Sequence, residues 1–434
     1  MNIESYLCIS LDEFTKKINS IRLCFTFQLY TLAISKEEGV RKMKIGLFSD
    51  TFYPQINGVA NSVLILKENL EMFGHEVYVF TTTDPKAGDN EKNVYRMPSI
   101  PFASARRLGM FYHPRLVRFI KSLELDIIHT HTEFSLGIFG RAMARKFHIP
   151  LLHTYHTIYE DYTHYIVKFR MLDFIAKNTA RKISANFCNS VDRVIVPTEK
   201  VRDLLSVYNV ERPIFVVPTG IELKKFANVN KKSATVQNLR ADLEIEAEDK
   251  VLLYIGRISE EKNIAELLLS LTSYLAENAS VKFVLVGDGP ERNNLEDLTK
   301  QLGIDKQTLF IGERPWDEIG IYYQLGDVFI SASQSETQGL TYIEALASAL
   351  PVVAKADRCL DGVLQNDVNG YVFYGAEDFV QSINRILDSE RKKERLSLGA
   401  IQSVERFSAT YFARAIEAMY EGLLDEHKKL YHVS

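Results

Sequence analysis

Short apolar runs alternate with longer amphipathic ones from residue 44 almost to the end of the chain. The runs at 44–49, 76–82, 126–130, 150–155, 193–197 and 214–218 are rich in Val, Ile, Leu and Phe and lack strict apolar–polar alternation. Such runs predict strands buried on both faces, as in a parallel sheet. A polar stretch at 224–249 interrupts the series, and a second one follows at 251–256, 281–287, 308–312, 327–331 and 351–354. Helix-like stretches separate the strands in both. Strand–helix alternation carried through two series predicts an α/β protein of two doubly wound domains, 43–222 and 223–425, joined between 221 and 250. Sheets of this kind bind ligands at the carboxyl ends of their strands. Two such sheets facing each other predict a central cleft lined by strand-end motifs. The last helical stretch, 408–430, mixes polar and apolar positions and is expected to return to the first domain.

Length and charge narrow the picture. A chain of 434 residues is too long for one ordinary core, which agrees with two domains. Its 46% apolar and 25% charged content is that of a soluble globular protein. A net charge of −4 excludes a generally basic nucleic-acid binder. The charge is uneven: residues 43–222 carry 22 Lys and Arg against 18 Asp and Glu, and residues 223–434 carry 24 against 33. Different partners for the two halves follow. Cys8, Cys24, Cys188 and Cys359 are widely spaced. They predict neither a disulfide framework nor a zinc site and fit a reducing cytosol. No stretch reaches the ~18–20 apolar residues of a membrane span. Residues 1–42 precede a natural-looking start, Met43, and are expected to be an extension with no catalytic part.

The candidate chemistry sits at strand ends. The run 331–344, Ser-Ala-Ser-Gln-Ser-Glu-Thr-Gln-Gly-Leu-Thr-Tyr-Ile-Glu, follows one strand and leads into a helix expected over 343–349. Free backbone N–H groups and a helix dipole make such a turn a seat for phosphate. A glutamate there repels phosphate, so Glu336 and Glu344 fit hydroxyl groups better. Phosphate beside hydroxyls suggests a sugar nucleotide, although an acidic first helical turn is also ordinary. Gly58, in the turn after the first strand, allows close backbone approach to an anion, and Gly287 offers a second strand-end glycine turn. Arg257 and Lys262 follow the first strand of the second series. A cation is locally unfavourable at a helix start, which favours a diphosphate ligand over a solvated surface pair. His156 ends a strand at the mouth of the cleft, whereas His129 and His131 read as structural or lining residues. No Gly-x-Gly-x-x-Gly and no Asp-x-Asp occurs, which disfavours a nicotinamide dinucleotide and a metal-held donor.

Together these residues resemble the retaining glycosyltransferases of family 4, which have the GT-B fold, over about residues 43–425. The resemblance implies that Glu336 lies near the donor sugar and that backbone amides of Thr337, Gln338, Gly339 and Leu340 hold sugar and phosphate. It implies that Glu344 binds the ribose, that Arg257 and Lys262 clamp the diphosphate, that Gly58 meets the phosphate, and that His156 stands by the reacting sugar. Gln338 departs from the Phe of many members. The segments 132–137, 153–165 and 335–339 look most like bacterial glucosyltransferases acting on diacylglycerol. That resemblance implies UDP-sugar as donor, no metal or other cofactor, diacylglycerol or a glycolipid as acceptor, and a place at the inner face of the cell membrane. The alternatives are a transferase adding a second hexose to a glycolipid or acting on a cell-wall or protein acceptor, a nucleotide-sugar epimerase, and a non-catalytic sugar-nucleotide-binding module. Independent support for a membrane partner comes from two basic segments with interleaved apolar residues. One, 92–121, holds Lys92, Arg96, Arg106, Arg107, Arg115, Arg118 and Lys121. The other, 168–182, holds Lys168, Arg170, Lys177, Arg181 and Lys182. Such faces suit an anionic lipid surface.

Overall fold

The computed structural model describes residues 41–55, 57–88, 91–102, 106–109, 114–160, 170–227 and 231–431. The chain divides into Met1–Met43 and Lys44–Ser434. The expectation for 1–42 lies almost wholly outside the described residues, as do Met110, Phe111, Tyr112, Lys168 and Phe169 of the basic segments.

Within Lys44–Ser434 the apolar runs form two sheets. The first comprises β1 (Lys44–Phe48), β2 (Glu76–Thr82), β3 (Val94–Met97), β6 (Ile127–Thr130), β7 (Leu151–Thr154), β8 (Arg193–Val196) and β9 (Ile214–Val216). A separate antiparallel hairpin supplies β4 (Ser99–Phe102) and β5 (Arg106–Gly109). The second sheet comprises β10 (Lys250–Ile255), β11 (Val281–Val286), β12 (Thr308–Gly312), β13 (Val328–Ser331), β14 (Val352–Lys355) and β15 (Gly370–Phe373). The orders are β3-β2-β1-β6-β7-β8-β9 and β12-β11-β10-β13-β14-β15. Every pairing in both sheets is parallel. The order reverses between β1 and β6 and again between β10 and β13, so each sheet has a switch point where its strand ends diverge. This is the expected α/β architecture, two doubly wound GT-B domains.

Burial on both faces explains the strand composition. In β10, Val251, Leu253 and Ile255 enter one core while Leu252 and Tyr254 enter the core on the opposite face. In the first sheet Phe48 stacks on Phe80 at 4.5 Å between ring centroids, with Phe139 of helix Ser135–Phe147 tilted against it. Gly287, at the end of β11, has φ +139°, and a Cβ there would stand 2.0 Å from the Gly256 carbonyl oxygen. The close approach that Gly287 permits in this fold is therefore to a neighbouring strand end.

The chain passes between the sheets twice, and the two passages are hydrogen-bonded. Ile221 donates its N–H to the Phe407 carbonyl at 2.8 Å, and Ala409 donates to the Ile221 carbonyl at 2.9 Å. Helix Ala409–Tyr431 then packs on helix Gly58–Met72 of the first sheet's layer. Polar side chains fix it there. His75 Nε2 meets Glu417 at 2.8 Å, Tyr420 Oη meets His129 Nδ1 at 2.7 Å, and Arg193 donates to the Met419 carbonyl at 3.1 Å.

Candidate active site

The turn between β13 and helix Leu340–Ala347 starts the helix earlier than the apolar pattern suggests, at Leu340 rather than 343. Gly339 is its N-cap with φ +71°, and a Cβ there would lie 2.4 Å from the Tyr342 ring. Only glycine fits both the backbone angle and the space. Across the cleft Gly58 opens helix Gly58–Met72, whose first turn is capped by the Asn57 side chain accepting from the Ala60 N–H at 2.9 Å. A Cβ on Gly58 would be 3.7 Å from Leu340 Cδ1. Two helix starts, one from each domain, therefore lie close together, with the Leu340 side chain against Gly58, and a helix N-terminus favours an anion.

Lys262 lies in the 3-10 turn Glu260–Lys262 ahead of helix Ile264–Glu277, and its Nζ is 2.5 Å from Glu336 Oε1. Burial raises the Glu336 carboxyl, but Lys262, a Ser333 hydrogen bond and Lys200 outweigh it and hold the group below the usual carboxylate range. Arg257 is exposed at the end of β10, and its carbonyl accepts from Tyr254 Oη at 2.9 Å. Glu344 is buried at 3% exposure, and its Oε2 accepts from Tyr323 Oη at 2.7 Å. Burial pushes its carboxyl up to about 7 despite that hydrogen bond.

The remaining turn residues connect the domains. Thr198 donates to the Thr337 carbonyl at 2.7 Å. Lys200 donates to the carbonyls of Gln334 and Glu336 at 2.9 and 3.1 Å and pairs with Asp357 at 2.7 Å. The Gln338 amide pairs with both backbone groups of Thr219, accepting at 2.8 Å and donating at 2.9 Å. Its side chain is thus turned toward the interdomain passage at Thr219. Thr198 and Lys200 were missed at the sequence level. Their place just after β8, in Pro197-Thr-Glu-Lys200, is the signal that could have found them.

A histidine group lies beneath the first sheet's strand ends. His156 Nε2 is 3.1 Å from His131 Nδ1, and the His131 ring lies tilted against His129 at 4.1 Å between centroids. His129 fills both ring nitrogens, with Tyr420 and Thr154 each at 2.7 Å. Burial and neighbouring histidines lower all three, His156 to about 3, so these rings are neutral at pH 7. Nearby, Asp50 accepts from Thr132 at 2.6 Å, from the Leu136 N–H at 3.1 Å and from Ser135. It thereby caps helix Ser135–Phe147, a role that no sequence pattern flagged. Burial nevertheless raises its pKa.

The basic segments divide. Arg115, Arg118 and Lys121 share the exposed face of helix Pro114–Leu123, opposite buried Val117 and Ile120. Phe174, Ile175 and Ile183 of helix Arg170–Cys188 are 50–71% exposed. Arg96 departs from the expectation of a lipid-facing charge. It is largely buried, pairs with Glu91 at 2.7 Å, and donates to the carbonyls of Tyr53 and Thr82 at 2.5 and 3.1 Å. Its guanidinium braces the loop leading to Gly58. Lys177 and Arg181 are paired with Asp173 and Glu160. Among the described residues no helix is long and apolar enough to cross a membrane.

Residues 56–225 match the family model "Glycosyltransferase Family 4" and residues 235–402 match "Glycosyl transferases group 1". The chain is 41% identical to alpha-monoglucosyldiacylglycerol synthase of Streptococcus pneumoniae over 87% of its length and 85% of the relative's. It is 36% identical to the enzyme of the same name from Acholeplasma laidlawii, over 89% of this chain and 99% of that one. Among solved structures it is similar to sucrose-phosphate synthase of Thermosynechococcus elongatus, with TM-score 0.72 and 23% identity, covering 89% of this chain and 100% of the other. Both domains and the similarity of nearly the full chain agree that this protein is a glycosyltransferase and belongs to family 4.

Proposed function

We propose that this chain transfers a glucosyl group from UDP-glucose to the free hydroxyl of diacylglycerol, retaining the α configuration, at the cytoplasmic face of the membrane. The observation that carries this reading is the closeness of the helix starts at Gly58 and Leu340, with Arg257 and Lys262 in the segment that follows β10. The similarity to two alpha-monoglucosyldiacylglycerol synthases supports the choice of acceptor and sugar.

In this reading the diphosphate sits between the helix N-termini and shares Lys262 with Glu336. The C1–O bond to UDP breaks as a C1–O bond to the acceptor forms on the same face. The acceptor proton passes to a departing phosphate oxygen. Fixed positive groups stabilise the charge that develops there, and no metal or other cofactor is required. The Glu344 carboxylate accepts from ribose hydroxyls, and neutral His156 hydrogen-bonds the sugar. The exposed Arg115, Arg118 and Lys121, with Phe174, Ile175 and Ile183, dock the protein on anionic lipid.

The test is mass spectrometry and ¹H NMR of products from purified protein, UDP-glucose and vesicles of anionic lipid with diacylglycerol, in EDTA. Monoglucosyl-diacylglycerol with an α anomeric signal is expected. Turnover confined to glucosyl-diacylglycerol vesicles would assign a second-sugar enzyme. A new sugar nucleotide formed without acceptor would assign an epimerase. Loss of all activity in EDTA would remove the metal-free clamp.

A further inference from the structure

The two ring nitrogens of His131 are unequal. Nδ1 faces His156 Nε2 at 3.1 Å, while Nε2 is buried with no hydrogen-bond partner among the described residues. The ring is 1% exposed, so water does not reach it freely. Neighbours that could have used Nε2 are already engaged. His129 has Tyr420 and Thr154, and His153 has Thr130 and Glu133, whose second oxygen accepts from Tyr159.

A neutral imidazole carries one N–H and one bare nitrogen. A proton on His131 Nε2 would bury an unpaired N–H. A proton on Nδ1 leaves only a lone pair unpaired, and buried donors are orphaned less often than buried acceptors. The proton therefore belongs on Nδ1. It points at His156 Nε2, which must accept. His156 then carries its own proton on Nδ1, the nitrogen for which no described residue provides a partner.

We propose that His131 is a positioning residue that fixes the tautomer of His156, so that the cleft meets an Nδ1–H donor and not a bare nitrogen. This rests on the reading of His156 as the histidine beside the reacting sugar. The consequence is chemical. An Nδ1–H can donate to a sugar oxygen but cannot take the acceptor's proton. His156 is then excluded as the general base through that nitrogen, and proton transfer falls to the leaving phosphate. Burial keeps both rings neutral, so the choice of tautomer is not lost to an imidazolium at pH 7.

The experiment is long-range ¹H–¹⁵N correlation on the full chain labelled with ¹⁵N-histidine, with His156→Asn assigning the ring. The Nδ1–H tautomer of His156 at neutral pH is expected. The Nε2–H tautomer, an even mixture, or an imidazolium overturns the proposal. Two variants carry it into kinetics. His131→Asn offers an amide N–H near the Nδ1 position and should keep the tautomer and hold kcat within a few-fold. His131→Asp offers only acceptors, should turn His156 over, and should lower kcat ~10–100-fold with UDP affinity unchanged. Equal kcat in the two folded variants overturns the proposal. Absence of sugar transfer by the unmodified protein would instead refute the functional reading, while the tautomer measurement still stands.

Discussion

Lys262 faces two demands, because its ammonium lies 2.5 Å from Glu336 and is also one of the two cations of the proposed clamp. Lys262→Ala removes the charge that would meet a departing diphosphate and strips Glu336 of its counter-charge. We expect kcat/KM in a UDP-release assay to fall ~100-fold or more, with a cooperative thermal transition retained. Glu344 gives a pH signature. Its carboxyl is raised in the fold to about 7 from its ordinary 4.5. The raised value means that the folded protein holds this proton more tightly than the unfolded chain does. The contribution to stability is full below the unfolded value and is lost as pH rises through about 7. Glu344→Gln should therefore raise the Tm relative to the parent at pH 8 and much less at pH 5. Ribose hydroxyls donating to the carboxylate would favour its charged form. UDP binding near pH 7 should then release a proton, read by calorimetry in buffers of different ionisation heat. Residue type and strand-end placement singled out Lys262, Glu336 and Glu344 in the sequence, and the fold brings Lys262 against Glu336 and buries Glu344. The role of Gln338 was not, because its partner Thr219 is remote in the chain and a side chain's direction depends on the folded loop.

At the level of elements, helix Pro114–Leu123 separates core from surface cleanly, with Val117 and Ile120 inside and Arg115, Arg118 and Lys121 outside. Each basic residue near an anionic bilayer is worth ~1 kcal/mol, so replacing all three by Gln should weaken vesicle binding ~100-fold. Sedimentation with vesicles containing anionic lipid measures this, and activity on a soluble acceptor should be unaffected. The strands that the pattern predicts are those with continuous Val, Ile and Leu, such as β1, β8 and β13. Their ends shift by a residue because strand pairing stops where a loop turns away. β15, Gly-Tyr-Val-Phe, was not anticipated: it is four residues long and begins with a glycine. β3, Val-Tyr-Arg-Met, lies at the sheet edge, and its arginine masks its apolar character. An edge strand needs burial on fewer sides, so its composition carries less signal.

For the whole molecule, the turn after β13 is held from outside its own domain. Carbonyls of Gln334, Glu336 and Thr337 accept from Lys200 and Thr198, and Asp357 completes the clamp on Lys200. Lys200→Met should leave Asp357 largely buried without its ion pair, lower the Tm, and raise the KM for the donor more than that for the lipid. Steady-state kinetics with each substrate varied in turn decides it. Lys200 and Asp357 are 157 positions apart, a pairing that no local pattern encodes.

The tail helix has a further consequence. Ala409–Tyr431 returns to supply Glu417 to His75 and Tyr420 to His129, both on the first sheet's side. A fragment cut after Ala227 would keep two buried imidazoles without the groups that satisfy them. The first half of this enzyme is then not a self-sufficient module, and recombination that swaps lobes between relatives must carry the final helix along with the lobe it completes, not with the lobe that precedes it in the chain.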